Sequence, residues 1–347
     1  MPYFESQPAD ALALQEVLYE KQDYVARITI NRASAYNAYS TPALRELAAA
    51  FQDASFDDKV GVIVFTGAGH RSFCTGGDVK EYEREYTARP GDYWKYMGLF
   101  STYIQSILNT GKPVVARING MAVGGGNESQ LACDLAIMAE HAYLAQVGTN
   151  VGSVACGGST QWLPLVVGDR RAREILMLNE KIPAEKALDW GLVNRVVPSV
   201  TKDGVFVEGA TREEIAKALK NEDAYAIDLS KLDEAVADIC TKLLGKFPEC
   251  TRYTKQQVNV HKENVWYQTI GHARDWLSTH YTSLEPNEGM RAFVEKRKPD
   301  VAGIRARAAA GESVEFMWGP YRGECTACGA KGLPTDFQYC GDCGAQL

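Results

Sequence analysis

Three consecutive glycines, Gly124-Gly125-Gly126, followed by Glu128, are the residues of this 347-residue chain best placed to do chemistry. They come after NGMAV and open NESQLACDLAIMA, a stretch that starts like a helix. Glycines just ahead of a helix leave backbone N–H groups uncovered by any Cβ, at the positive end of the helix dipole. Such a place can hold an oxygen anion, and Glu128, one turn in, can face whatever occupies it. Close packing of two backbones is the plainer explanation of a glycine run. A second pair shifts the weighting: Gly76-Gly77, in SFCTGGDVKE, follows the apolar run VGVIVF at 60–65 and also leads into a helical stretch. One N–H from each place, Gly77 and Gly125, would suit a single developing oxyanion.

The elements that must carry these glycines read as alternating short strands and helices. Pro113–Ile118 is an apolar run suited to a strand buried on both faces. Val60–Phe65 and Tyr24–Asn31 read as strands, and Thr41–Ala54 as an amphipathic helix. Residues 82–108 are dense in aromatics, with Tyr82, Tyr86, Tyr93, Trp94, Tyr96 and Phe100. They read either as helix packing or as part of an acyl pocket shaped for a ring. The charged stretch 201–230 reads as an insertion, a hairpin followed by a helix at Arg212–Lys220. Residues 301–324 read as a linker, in which Trp318 and Tyr321 pack against the cysteine-rich end of the chain or against a neighbour.

Four motifs in order, ITINRASAYNAYS (28–40), FCTGGDVKEY (73–82), KPVVARINGMAVGGGNE (112–128) and AREILMLNEKIPAEKALDWGLVNRVVP (172–198), resemble the crotonase (enoyl-CoA hydratase/isomerase) superfamily. The resemblance implies an α/β spiral of ββα units with a C-terminal helical region, an acyl-CoA substrate, and a trimer or dimer of trimers. It also implies an oxyanion hole at Gly77 and Gly125, with Glu128 as acid or base. Hydratases of the superfamily carry a second glutamate two residues after the position of Gln146, and here that position is Gly148. The pattern Gln146-x-Gly148-x-x-x-Gly152-Ser153 instead resembles the dihydroxynaphthoyl-CoA synthase and ketocyclohexane-carboxyl-CoA hydrolase branch. That likeness implies catalytic roles for Ser153 and for Tyr281, although Thr149 and Ala155 depart from the branch's proline and aspartate.

The aromatic extension after VKEY, the insertion at 201–229 and FPECTRYTKQQVNVHKENVWYQTI (247–270) resemble the 6-oxocyclohex-1-ene-1-carbonyl-CoA hydrolases. These enzymes add water to a ring enoyl-CoA and then open the ring hydrolytically, so the implied activity is carbon–carbon hydrolysis of an alicyclic oxo-acyl-CoA through a thioester enolate. Hydration without ring opening, and a non-catalytic scaffold, are the alternatives. For coenzyme A the resemblance implies adenine against the backbone near Thr75 and Gly77, phosphates near Arg32 and Lys80, and substrate near Gly148. It also implies that Phe293, Lys296 and Lys298 reach a neighbouring subunit's ligand. A solvated helix end explains that last charge cluster equally well.

The cysteines are unevenly spread: of nine, Cys325, Cys328, Cys340 and Cys343 lie in the last 23 residues as two CxxC pairs, each followed by glycine. That spacing predicts a zinc ribbon, a structural four-cysteine site with no open position for catalysis. It suggests docking to a pathway protein, by analogy alone. No histidine spacing suggests a catalytic metal. The net charge of -7 argues against nucleic acid, and 46% hydrophobic residues support a substantial core. No apolar run is long enough for a membrane span and the start lacks a signal-peptide pattern, which predicts a cytoplasmic protein. The expected parts are a core at 1–200, the insertion at 201–230, a helical trimerisation region at 231–300, the linker at 301–324 and the ribbon at 325–347.

Overall fold

The computed structural model describes residues 6–316, 318–319 and 321–347. Its chain divides into two compact units. The first holds the chain up to Asp78, with Tyr96–Thr149 and Ala155–Ala273; the second holds Val79–Lys95, Asn150–Val154 and Arg274–Leu347.

The strands that build the first unit are β1 (Val17–Gln22), β2 (Val25–Ile30), β3 (Val62–Gly67), β4 (Ser72–Cys74), β5 (Val114–Ile118), β6 (Met121–Val123), β7 (Leu135–Ala139), β8 (Tyr143–Ala145), β9 (Ile182–Pro183) and β10 (Arg195–Val197). A six-stranded sheet has the order β1-β2-β3-β5-β7-β10, antiparallel only at β1/β2. A four-stranded sheet has the order β4-β6-β8-β9 and is parallel from β4 to β8. Each turn of the chain thus lays one strand in the large sheet, a shorter one in the small sheet, and then enters a helix or glycine turn. That is the ββα spiral. It repeats the same strand-to-glycine geometry after β4 and after β6.

β3 and β5 are buried along their whole length, as their unbroken apolar runs require. Val62, Val64, Val115 and Ile137 pack on Leu232, Val236 and Cys240 of the Ser230–Leu244 helix. Alternate residues of β3 face the other way, where Phe65 meets Phe51 and Phe73 edge-on at 5.4 and 5.1 Å. The site therefore rests on a core that is apolar on both faces of its main sheet.

Two stretches differ from their reading. The helix that begins at Gly125 stops at Ala132, and LAIMA is strand β7. The stop has a local cause: Asp134 pairs with Val114 through both its N–H (3.0 Å) and its carboxylate (2.7 Å), pulling the chain into the sheet. Lys262 donates to the freed carbonyls of Leu131 (2.7 Å) and Cys133 (3.2 Å). The stretch 301–324 contains a helix, Val301–Ala309, capped by Asp300, and the strand Tyr321–Glu324, which pairs with Lys331–Pro334. The ribbon's hairpin therefore starts before the first cysteine. Trp318 packs edge-on against Phe337, with ring centres 5.9 Å apart.

The helix read at Arg212–Lys220 runs over those residues, with a capping box between Thr211 and Glu214. It packs on the small sheet Val200–Lys202, Val205–Phe206 and Tyr225–Ile227. Among the described residues, no helix is long and apolar enough to cross a membrane.

Candidate active site

The two glycine segments touch. A methyl group built on Gly76 would lie 2.9 Å from the Gly125 nitrogen, and one built on Gly125 would lie 3.3 Å from Gly76 Cα. Gly76 (φ 87°) and Gly124 (φ 55°) take left-handed backbone, which turns each chain sharply out of its strand. Gly77 bridges Tyr39, and the bridge uses the Gly76 carbonyl (from Tyr39 N–H, 2.9 Å) and the Asp78 N–H (to Tyr39 C=O, 3.1 Å). The Gly77 N–H takes no part in it and faces the other way. Gly125 is the first residue of its helix, where no intrahelical acceptor exists. Both residues are half-buried.

Glu128 lies on the same helix and is 5% exposed. Its Oε1 accepts hydrogen bonds from the N–H groups of Gly157 (2.8 Å) and Ser159 (3.3 Å). Ser159 begins the nine-residue helix Ser159–Val167, so the acid sits at a second helix start. Burial pushes its pKa up to about 7, against those two hydrogen bonds, which pull it down. A carboxyl poised there can both take and return a proton near neutrality. The sequence reading missed Gly157 and Ser159 as the groups that hold Glu128. The signal was present: Cys156-Gly157-Gly158-Ser159 is a third glycine pair ahead of a helix.

In the second unit, the Tyr281 hydroxyl donates to Ser153 Oγ at 3.2 Å. Tyr281 is fully buried, its ring stacked on Tyr93 (3.6 Å between centres) and edge-on to Tyr82 (6.3 Å). Ser153 is half-buried, with its chain turned at Gly152 (φ 67°) against the backbone of Glu285 and Pro286. The structure thus brings Ser153 together with Tyr281, and Glu128 together with the glycine turns, each set within its own unit. Tyr82–Tyr86 form a π-helical turn, a form that recurs at functional sites.

The residues expected at coenzyme A divide. Arg32 is already engaged, ion-paired to Glu16 (3.2 Å) and Asp78 (3.1 Å) and donating to the Ala38 carbonyl. It clamps the loop before Tyr39 onto the segment after Gly77. Thr75 donates to the Tyr36 carbonyl at 3.2 Å, and Lys80 is exposed. Gly148 opens a short 3₁₀ turn, Gly148–Asn150. Phe293, Lys296 and Lys298 are exposed at the end of the Leu284–Val294 helix.

The four tail sulfurs lie within 4.8 Å of one another, with Cys325 to Cys343 and Cys328 to Cys340 both 3.7 Å. Thiolates about 2.3 Å from a tetrahedral zinc stand about 3.8 Å apart, so the spacing fits that ion. The two halves match: the Gly329 N–H donates to the Cys325 carbonyl at 2.8 Å, and the Gly344 N–H to the Cys340 carbonyl at 2.9 Å. Backbone N–H groups of Cys328 and Ala327 lower the pKa of the Cys325 thiol, while the neighbouring sulfurs raise those of Cys328 and Cys343. These four cysteines could hold a metal ion.

A ββα spiral whose successive turns bring two strand-terminal glycine segments into contact defines the crotonase class of fold. The sequence profile of enoyl-CoA hydratase/isomerase matches residues 20–226, and the chain belongs to that family, as an acyl-CoA hydrolase or hydratase. A 6-oxocyclohex-1-ene-1-carbonyl-CoA hydrolase of Geobacter metallireducens is 37% identical over 79% of this chain and 77% of its own. One of Thauera aromatica is 34% identical over 81% and 83%. Among solved structures, an enoyl-CoA hydratase/isomerase from Mycobacterium paratuberculosis superposes with a TM-score of 0.66 at 26% identity, covering 80% of this chain and 97% of that one.

Proposed function

We propose that the protein adds water to an alicyclic enoyl-CoA bearing a ring ketone and then opens the ring by carbon–carbon hydrolysis; its relatives' names give 6-oxocyclohex-1-ene-1-carbonyl-CoA as the compound hydrolysed. The observation that supports this most is the buried acid on the helix that Gly125 opens: Glu128, with a pKa near 7, in a chain that has Gly148 where hydratases carry their second carboxylate.

In the first step water's oxygen bonds the β-carbon, and Glu128 takes the proton the water loses. The electron pair of the double bond moves onto the thioester oxygen, where the N–H groups of Gly77 and Gly125 stabilise it, and as this enolate collapses Glu128 returns its proton to the α-carbon and is a base again. In the second step water attacks the ring ketone and loses a proton to Glu128. The bond from that carbon to the α-carbon breaks, and its electron pair forms an open-chain thioester enolate whose oxygen meets the same two N–H groups. Protonation then leaves an open chain with one free carboxylate and one thioester. Ser153 donates to the ring ketone, with Tyr281 donating to Ser153 and so strengthening it. Thr75 meets the coenzyme A moiety, Arg32 and Lys80 its phosphates, Phe293 and Lys296 reach a neighbouring subunit's ligand, and the four-cysteine ribbon holds structural zinc.

Mass spectrometry of the products from 6-oxocyclohex-1-ene-1-carbonyl-CoA and from crotonyl-CoA tests this. The expected result is a gain of two waters on the ring substrate. One water on each substrate would reduce the protein to a hydratase, and none on either would sink the substrate reading.

A further inference from the structure

Tyr39 plays no part in the chemistry above, yet its position ties together the groups that do. Its main chain pairs with both Gly76 and Asp78, as described, and the loop that presents it is locked. Asn37, fully buried, donates to the carbonyls of Ala68 (2.9 Å) and Ser72 (2.8 Å), while Arg32 holds Ala38. Tyr39 is 2% exposed, and its ring stacks on Phe100 with centres 5.7 Å apart and planes 23° apart.

The phenol ends against Gly125. A methyl group built on Gly125 would overlap the Tyr39 hydroxyl and lie 2.9 Å from Cζ of the same ring. On the other side of the stack, a methyl group on Gly157 would overlap the Phe100 ring and lie 2.8 Å from Glu128 Oε2. The hydroxyl therefore sits on a continuous line of contacts from Gly125 through Phe100 and Gly157 to the acid. All of these residues belong to the first unit.

We propose that the Tyr39 phenol is a third hydrogen-bond donor to the thioester oxygen, beside the amides of Gly77 and Gly125. This rests on the oxyanion reading of those amides. Carbon–carbon cleavage expels a full enolate, and position 148 offers no second carboxylic acid to protonate the α-carbon as the charge develops. The charge must then be borne at oxygen. A phenol, with an ordinary pKa about 10, shares it better than an amide does. Glycine at 125 serves this donor twice, by exposing its own N–H and by leaving room for the hydroxyl.

The test uses Tyr39→Phe, which keeps the ring stack, and Tyr39→Leu, which does not. The probe is acetoacetyl-CoA, whose enolate absorbs in the near ultraviolet. Titrating the bound probe reads the oxyanion site without turnover. The expected result for Tyr39→Phe is kcat about 10- to 100-fold lower, KM nearly unchanged, and enolisation of the bound probe moved to higher pH by about 1–2 units. Enolisation at the wild-type pH in Tyr39→Phe, with a defect only in Tyr39→Leu, would reduce Tyr39 to packing and overturn the proposal. A wild-type protein that never enolises the probe would overturn it together with the oxyanion reading. Ring hydrolysis that fails while the probe titrates as expected sinks the substrate reading alone.

Discussion

Glu128→Gln lowers turnover by about three orders of magnitude and makes the folded protein more stable at pH 8 than the wild type. The first effect is the loss of a positioned acid–base group, worth about 10²–10⁴ in rate. The second follows from linkage. The Glu128 carboxyl has a folded pKa raised to about 7 from 4.5, with burial the largest cause. The native state therefore holds its proton where the unfolded chain has lost it. Stability on this account is complete below pH 4.5, declines as pH rises through that window, and above pH 7 is lower by about 3 kcal/mol.

Glutamine cannot ionise, and its carbonyl can still accept from Gly157 and Ser159. Its amide N–H groups lack the carboxylate's partners, which returns about 1–2 kcal/mol of the gain. The net expectation is about 1–2 kcal/mol of added stability at pH 8, absent or reversed at pH 5.

His141 tilts both proteins the other way. Its Nε2 lies 2.8 Å from the His70 carbonyl, an obligate acceptor, so Nε2 carries the proton and Nδ1 accepts from Ser199 Oγ at 2.7 Å. Burial pushes its pKa down to about 4, so stability is lost as pH falls from about 6.5 toward that value. Urea melts of wild type and Glu128→Gln at both pH values cancel the His141 contribution in the difference. A difference that does not change with pH would mean that Glu128 is not buried as a poised acid.

What the sequence could carry depended on length and on repetition. β3 and β5 were readable because a strand buried on both faces must be an unbroken apolar run. β4 and β6, three residues each, carry no period at all, so the second sheet came only from resemblance. LAIMA fits a helix or a strand equally by composition, and the choice was made by Asp134 pairing back to Val114, a contact 20 residues away. The glycine turns and Glu128 were legible because local backbone chemistry demands those residue types. The charge of Arg32 is visible in sequence, whereas its partners, Glu16 and Asp78, are not. Tyr39 was invisible for the converse reason: an ordinary aromatic in NAYS takes its meaning from Gly125, 86 positions later in the sequence.

Removing zinc from the tail is expected to unfold residues 321–347 while leaving the core of the first unit folded. The hairpin there has four-residue strands, and among its described residues only Cys325, Pro334 and Cys340 are buried. Two short strands without an apolar core do not hold themselves together in water, and a segment this small needs a crosslink. Four thiolates on one ion would supply it, at an apparent binding free energy of about 10–16 kcal/mol that would become folding free energy because the unfolded chain has no site.

The purified protein should therefore carry one zinc per chain by elemental analysis, and a strong chelator or Cys340→Ser should expose the tail to proteolysis. Far-ultraviolet circular dichroism should change little, because nearly all regular structure lies before residue 310. Two disulfides are the competing crosslink, and the reagents separate them. A tail opened by reductant and indifferent to chelator would mean paired cysteines, whereas one opened by chelator under reducing conditions can only be held by metal.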